Sequence, residues 1–138
     1  VYRYDIQEIE RTLGEKYGKE SVATYYGDTK DSIRQSIVDR FMDADDPLRF
    51  FVGNPKTGGY GLTLTSSHTV VYYSNDYSLE VRLQSEDRAH RIGQTSKVTY
   101  VDLMADHTID EKIVKALNAK IDLASQVMGE DPKKILFG

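Results

Sequence analysis

The sequence predicts an α/β fold with a mainly parallel sheet covered by helices on both faces. Short apolar runs rich in β-branched and aromatic residues alternate with longer stretches of helical periodicity from end to end. The 138 residues contain no internal repeat, no low-complexity tract and no linker, which makes 1–138 one domain. Hydrophobic content of 39% and charge of 29% are those of a globular chain that builds its own core.

The elements follow in order. "YDIQEIERTLGEKYG" has Asp5 as expected N-cap and Glu8 three residues on, a capping-box spacing. Ile6, Ile9 and Leu13 line one face of that helix, and Gly14 and Gly18 sit where it should end. "SVATYY" (21–26) is strand-like. "GDTK" is a turn in which Asp28 or Thr29 could cap the next helix. That helix carries Ile33, Ile37, Val38 and Phe41 and stops before Pro47. "RFFVGN" (49–54) and "TVVYYS" (69–74) are strands, separated by the glycine-rich "PKTGGYG". "LEVRLQSEDRAHRI" (79–92) has helical spacing. "KVTYVDLMA" (97–105) alternates, with Val98, Tyr100 and Asp102 opposite Thr99, Val101 and Leu103. The last helix opens with a Thr108–Glu111 capping box. Its expected core stripe is Ile109, Ile113, Leu117, Ile121 and Val127 or Met128. "GEDPKKILFG" (129–138) carries no clear pattern.

Several function classes are excluded. Without cysteine there is no disulfide and no thiolate zinc site, which fits a reducing compartment. His68, His90 and His107 have no metal-ligand spacing. No run approaches the ~18 apolar residues of a membrane helix. A net charge of −4 argues against nonspecific polybasic binding to nucleic acid, but leaves room for a local phosphate site. No secretory leader is visible, and the start at Val1 reads as that of a fragment or processed chain.

Two stretches imitate known sites. "GEKYGKES" has three residues between its glycines where a Walker A loop has four, and Glu20 where Ser or Thr would hold magnesium. "DEK" at 110–112 belongs to the first turn of a helix, where acidic residues complement the macrodipole.

Two stretches remain. In "GNPKTGGYGLTLTSS" (53–67), Gly58, Gly59 and Gly61 follow a strand at the carboxyl edge of the sheet, where ligands bind. Glycines there let backbone approach a phosphate, and Thr63 and Thr65 offer hydroxyls. From glycines alone, a plain strand-to-helix loop is the simpler account. In "QSEDRAHRIGQ" (84–94), a continuous helix would put Gln84, Asp87, Arg88 and Arg91 on one face. Two arginines one turn apart can grip a polyphosphate through planar, permanently charged forks. From spacing alone, a solvated face with weak ion pairs accounts for them as well.

The motifs in sequence order decide between these accounts. "QSEDRAHRIGQ" resembles motif VI of the Swi/Snf-type ATPases, a branch of the superfamily-two helicase-like translocases. "GGYGLTLT" resembles their motif V, and "YYGDTKDSIRQSIVDRF" (25–41) the stretch around motif IV. "VTYVDLMADHTIDEKIVKAL" resembles the strand and helix that close their second lobe. The resemblance covers nearly the whole chain. It implies a RecA-like, three-layer α/β/α second (carboxyl-terminal) helicase lobe, its first strand truncated because at most Val1 to Tyr4 precede the first helix.

It also implies roles. Arg88 and Arg91 would be arginine fingers, Arg91 the stronger candidate. Gln84 and Asp87 would orient their helix, and Gly59 and Gly61 would lie near the nucleotide. Gly27, Thr29, Thr63 and Thr65 would touch the backbone of double-stranded DNA. ATP with magnesium would be bound mainly by a first RecA-like lobe carrying the Walker A and Walker B motifs. This chain lacks both and is expected to be inactive alone, with no metal site of its own. "SNDYSL" (74–79) keeps only Asp76 of the usual Asp-Pro-Asp-Trp-Asn-Pro, with Tyr77 in place of Trp, and "NPKTGG" departs from Ser-Thr-Lys-Ala-Gly-Gly. These departures suggest an intracellular protein of bacterial or phage character, away from chromatin work. The rival readings are a helicase acting on RNA or single strands, a non-enzymatic relic lobe, and an unrelated α/β phosphate-binding protein.

Overall fold

A computed structural model describes residues 3–27, 29–54, 56, 62–74 and 78–128. Helix α1 spans Arg3–Tyr17. It starts before Asp5, which therefore lies in the first turn instead of capping it. Ile6 is fully buried, and the outer face carries Arg11 paired with Glu8 and, at 2.8 Å, Glu15. The helix stops where expected. Gly18 turns the chain at φ 97°, and a Cβ there would fall 2.8 Å from Glu20 Oε1. A single 3₁₀ turn, Lys19–Ser21, follows and was not legible in the sequence. Ser21 closes it by donating its hydroxyl to Gly18 O at 2.6 Å.

Strand β1 (Val22–Tyr25) pairs in parallel with β2 (Phe50–Gly53), Val22 opposite Phe50. Helix α2 (Asp31–Met42) connects them. Its N-cap is Lys30, not Thr29, because Thr29 accepts the Tyr26 N–H with its hydroxyl and so closes the preceding turn. The other expected cap, Asp28, lies outside the described residues. Ile37 is buried, Val38 and Phe41 are half-buried, and Ile33 is 49% exposed. The apolar stripe of α2 is thus narrower than its spacing implied. Ring contacts tie helices to strands, Tyr17 tilted on Phe50 at 5.2 Å and Phe41 edge-on to Phe51 at 5.5 Å, and Phe51 meets Tyr25 of the neighbouring strand at 5.3 Å.

Strand β3 (Thr69–Tyr72) pairs in parallel with β4 (Thr99–Asp102), Val71 opposite Val101. Helix α3 (Leu79–Asp87) lies between them in sequence, capped by Ser78, whose hydroxyl accepts the Val81 N–H. Helix α4 (Ile109–Met128) packs on α3. Ile113 and Leu117 are buried and Ile121 half-buried, but Ile109 and Val127 are 61% and 76% exposed. Among the described side chains of the expected stripe, those in the middle are the ones buried. Thr108 does open this helix by accepting the Asp110 N–H. The returning carboxylate is Asp110, on the Ala105 N–H, not Glu111.

Every strand pairing is parallel, as expected, but among the described residues the strands form two separate pairs. A cavity of about 460 Å³ is lined from both, by Phe51 and Val52 on one side and Val70 and Tyr72 on the other, with Leu13 and Arg88.

Candidate functional site

The site is assembled by the turn that follows α3. A continuous helix to residue 92 was expected; α3 ends at Asp87. The reason is tertiary. The Leu64 N–H donates to Arg88 O at 2.7 Å, taking a carbonyl that a longer helix would need. Gln94 then locks the turn, its side-chain amide donating to Ala89 O at 3.0 Å and to Ser67 O at 2.8 Å. Gly93 completes it at φ 100°. Gln84, Asp87, Arg88 and Arg91 consequently do not share one helical face.

The two arginines part company. Arg91 leaves the turn toward the segment that resembles motif V. Its Nη1 donates to Thr63 Oγ1 at 3.0 Å and to Leu62 O at 3.3 Å, and Asp87 lies 3.8 Å from its Nε. The side chain stays 32% exposed, so it is oriented and still open to a ligand. Arg88 is 9% exposed and lines the interior cavity. Burial lowers its pKa from the ordinary arginine value. Gln84 is half-buried on α3.

Thr63 is a junction. Besides meeting Arg91, it lines, with Leu62, a second cavity of about 270 Å³ closed by Tyr25, Asp31, Arg34 and Val38. Arg34 lies over the Tyr25 ring, 5.5 Å from its centroid, and donates to Gly27 O at 3.0 Å. The segments that resemble motifs IV, V and VI therefore meet around residues 62–63. Gly27 is exposed, and a Cβ placed there would meet nothing within 4 Å, while the Thr29 hydroxyl is already engaged in its turn. Thr65 is half-buried in the turn after Leu64. Gly59 and Gly61 lie outside the described residues, as do Asp76 and Tyr77.

Sequence reasoning missed two arginines. Arg34 carried one faint signal, Asp31 one turn before it, to which it pairs at 3.4 Å. Arg82 carried only Glu86 at i+4; its second carboxylate, Asp102, is 20 residues away and invisible to local pattern. Among the described residues no group of three or more His, Cys, Asp or Glu could hold a metal ion. No helix among them is long and apolar enough to cross a membrane.

Comparison with known proteins agrees with this architecture. The family model described as "Helicase conserved C-terminal domain" matches residues 1–93. The chain is 38% identical over 111 residues to the ATP-dependent helicase fft2 of Schizosaccharomyces pombe, covering 79% of this chain and 9% of that protein. It is 36% identical to Helicase SWR1 of Saccharomyces cerevisiae (75% and 7%) and 35% identical to the S. pombe SWI/SNF chromatin-remodeling complex subunit snf22 (74% and 6%). The crystal structure of the C-terminal part of the Fun30 ATPase domain superposes with a TM-score of 0.74 at 27% identity, over 84% of this chain and 36% of that one. The chain thus spans less than a tenth of the length of these curated relatives. These relatives are fungal and lend no support to the expected bacterial or phage character. With its RecA-like α/β fold, the chain belongs to the helicase conserved C-terminal domain family, of the kind found in Swi/Snf-type ATPases.

Proposed function

We propose that this chain is the second lobe of an ATP-driven translocase on double-stranded DNA, and that Arg91 is its arginine finger. The observation that carries the proposal is the seat of Arg91. It is aimed by a hydroxyl, a carbonyl and a carboxylate drawn from two motif-like segments, yet partly exposed. An arginine so placed stabilises charge on a transferring phosphoryl group, typically by ~10³–10⁵ in rate. Pre-orientation matters because the fork then needs no reorganisation when the lobes close.

The residues present fit part of an ATP site only. Arg91 suits a phosphate, and ATP with magnesium would be held mainly by a first lobe. Arg88 acts from behind the turn, contributing charge from the interior. Gln84 and Asp87 orient the arginine turn, Asp87 directly through Arg91, and Gly59 and Gly61 approach the nucleotide. Gly27, Thr29, Thr63 and Thr65 would form the DNA-backbone side, joined by Arg34, which donates to Gly27 O and lines the same cleft as Thr63. Contacts of this kind read phosphates, not bases, so the net charge of −4 is no obstacle. The relatives' names, ATP-dependent helicase and chromatin-remodeling subunit, support this class. Alone, the chain is expected to be inactive.

The test compares ATP hydrolysis by a two-lobe polypeptide carrying this chain, stimulated by duplex DNA, single strands or RNA. Preferential stimulation by duplex supports the proposal. Preference for RNA or single strands would replace it with the strand-separating alternative.

A further inference from the structure

We propose that Arg82 is a positioning residue that sets the roll of α3 and thereby aims the arginine turn. Its guanidinium ties three elements together. Nη1 and Nη2 form a fork on Asp102 of β4, at 2.6 and 3.2 Å, and Nε donates to Glu86 of its own helix at 2.8 Å. The guanidinium carbon lies 3.6 Å from the ring centroid of Tyr72 on β3. The Arg82 side chain is 10% exposed, and the two carboxylates are 11% and 22% exposed.

Neighbouring bonds point the same way. Ser85 donates its one hydroxyl proton to Arg82 O at 2.8 Å, so Tyr72 donates to Ser85 Oγ at 2.7 Å. The Tyr100 hydroxyl donates to Glu86 O at 3.2 Å. Residues 82, 85 and 86 are thus bonded to both strands immediately before the turn begins.

Apolar packing alone does not fix this helix. Leu83 is its one buried large apolar side chain; the other buried residues are Ser85 and Glu86. A side-chain shift of one position is about 100° of roll, given 3.6 residues per turn. That would carry Asp87 away from Arg91 and detach the Arg88 carbonyl from Leu64. A largely buried, forked ion pair resists such roll far better than an exposed one, because breaking it strands a buried charge. Arg82 would touch no nucleotide; it acts through Asp87, Arg88 and Arg91.

This inference rests on the proposed role of Arg91, and the experiment separates the two. Steady-state ATPase kinetics are measured on the two-lobe polypeptide with saturating duplex DNA, for the parent, Arg82→Gln and Arg91→Ala. Arg82→Gln is expected to lower kcat about tenfold, as misaimed groups do, while leaving the KM for ATP within about twofold. If Arg82→Gln does not fold, Asp102→Asn replaces it, preserving shape and the Glu86 pair, with an expected fall in kcat of about threefold. A folded variant with parental kcat, or one whose loss lies in KM alone, overturns the proposal. If Arg91→Ala abolishes turnover while the folded Arg82 variant is parental, only the Arg82 assignment falls. If Arg91→Ala is itself parental, both assignments fall.

Discussion

Arg91 Nη1 donates to Thr63 Oγ1 at 3.0 Å across 28 residues of sequence, joining the turn after α3 to the segment before β3. A loop threonine thereby aims a guanidinium, and the same threonine lines the cleft beneath Arg34. The bond links the proposed phosphate side of the lobe to its proposed DNA side.

Thr63→Val keeps the shape and removes the acceptor. One hydrogen bond of this kind is worth about 1 kcal/mol net, so the melting temperature should fall by only about 2–5 °C. ATP turnover of the two-lobe polypeptide should fall severalfold, because Arg91 loses one of its guides. Equal turnover would show that Leu62 O and Asp87 suffice.

Gly27→Ala separates folding from contact. Among the described residues nothing lies within 4 Å of the added Cβ, and the residue is not at positive φ. Stability should therefore change by less than about 0.5 kcal/mol. Weaker duplex binding in a titration would then report a lost backbone approach. Unchanged binding would remove Gly27 from the DNA side.

Tyr72 makes alkaline stability measurable. Burial pushes its phenol up to about 12, against an ordinary value near 10. The folded state holds the proton after the unfolded chain has released it. The associated stability is fully present below about pH 10 and is lost as pH rises toward 12, by about 2–3 kcal/mol. Tyr100 is also raised by burial and contributes in the same sense. Urea denaturation of Tyr72→Phe from pH 9 to 12 should show a shallower decline than the parent.

Much of the fold was legible, for identifiable reasons. The strands at Val22, Phe50, Thr69 and Thr99 are continuous or alternating β-formers, and each was placed within a few residues. Asp102 was assigned to one face of its strand by alternation, but its reason for being there, Arg82, is a long-range partner. The end of α3 was not legible, because Leu64 decides it by claiming the Arg88 carbonyl. Arg88, the C-cap, keeps right-handed helical geometry and is buried from there, whereas Arg91 lies beyond the end of the helix. Caps failed similarly: Thr29 and Glu111 each had the right chemistry, but a neighbouring residue took the position, and Asp5 lies within the first turn of a helix that starts before it.

Leu83 is the apolar anchor of α3 at 2% exposure. Leu83→Ala should cost about 2–5 kcal/mol, the range for buried leucine truncation, read as a lower denaturation midpoint. A smaller loss would mean that the Arg82 network alone holds the helix.

The assignment of Arg91 is decided by duplex-stimulated ATP hydrolysis of the two-lobe polypeptide beside its Arg91→Ala variant, with ATP binding measured on both. An arginine finger at this position predicts ATP binding near the parental level and turnover lower by at least about a thousandfold. Turnover equal to the parent would contradict it and leave the turn after α3 as structure alone.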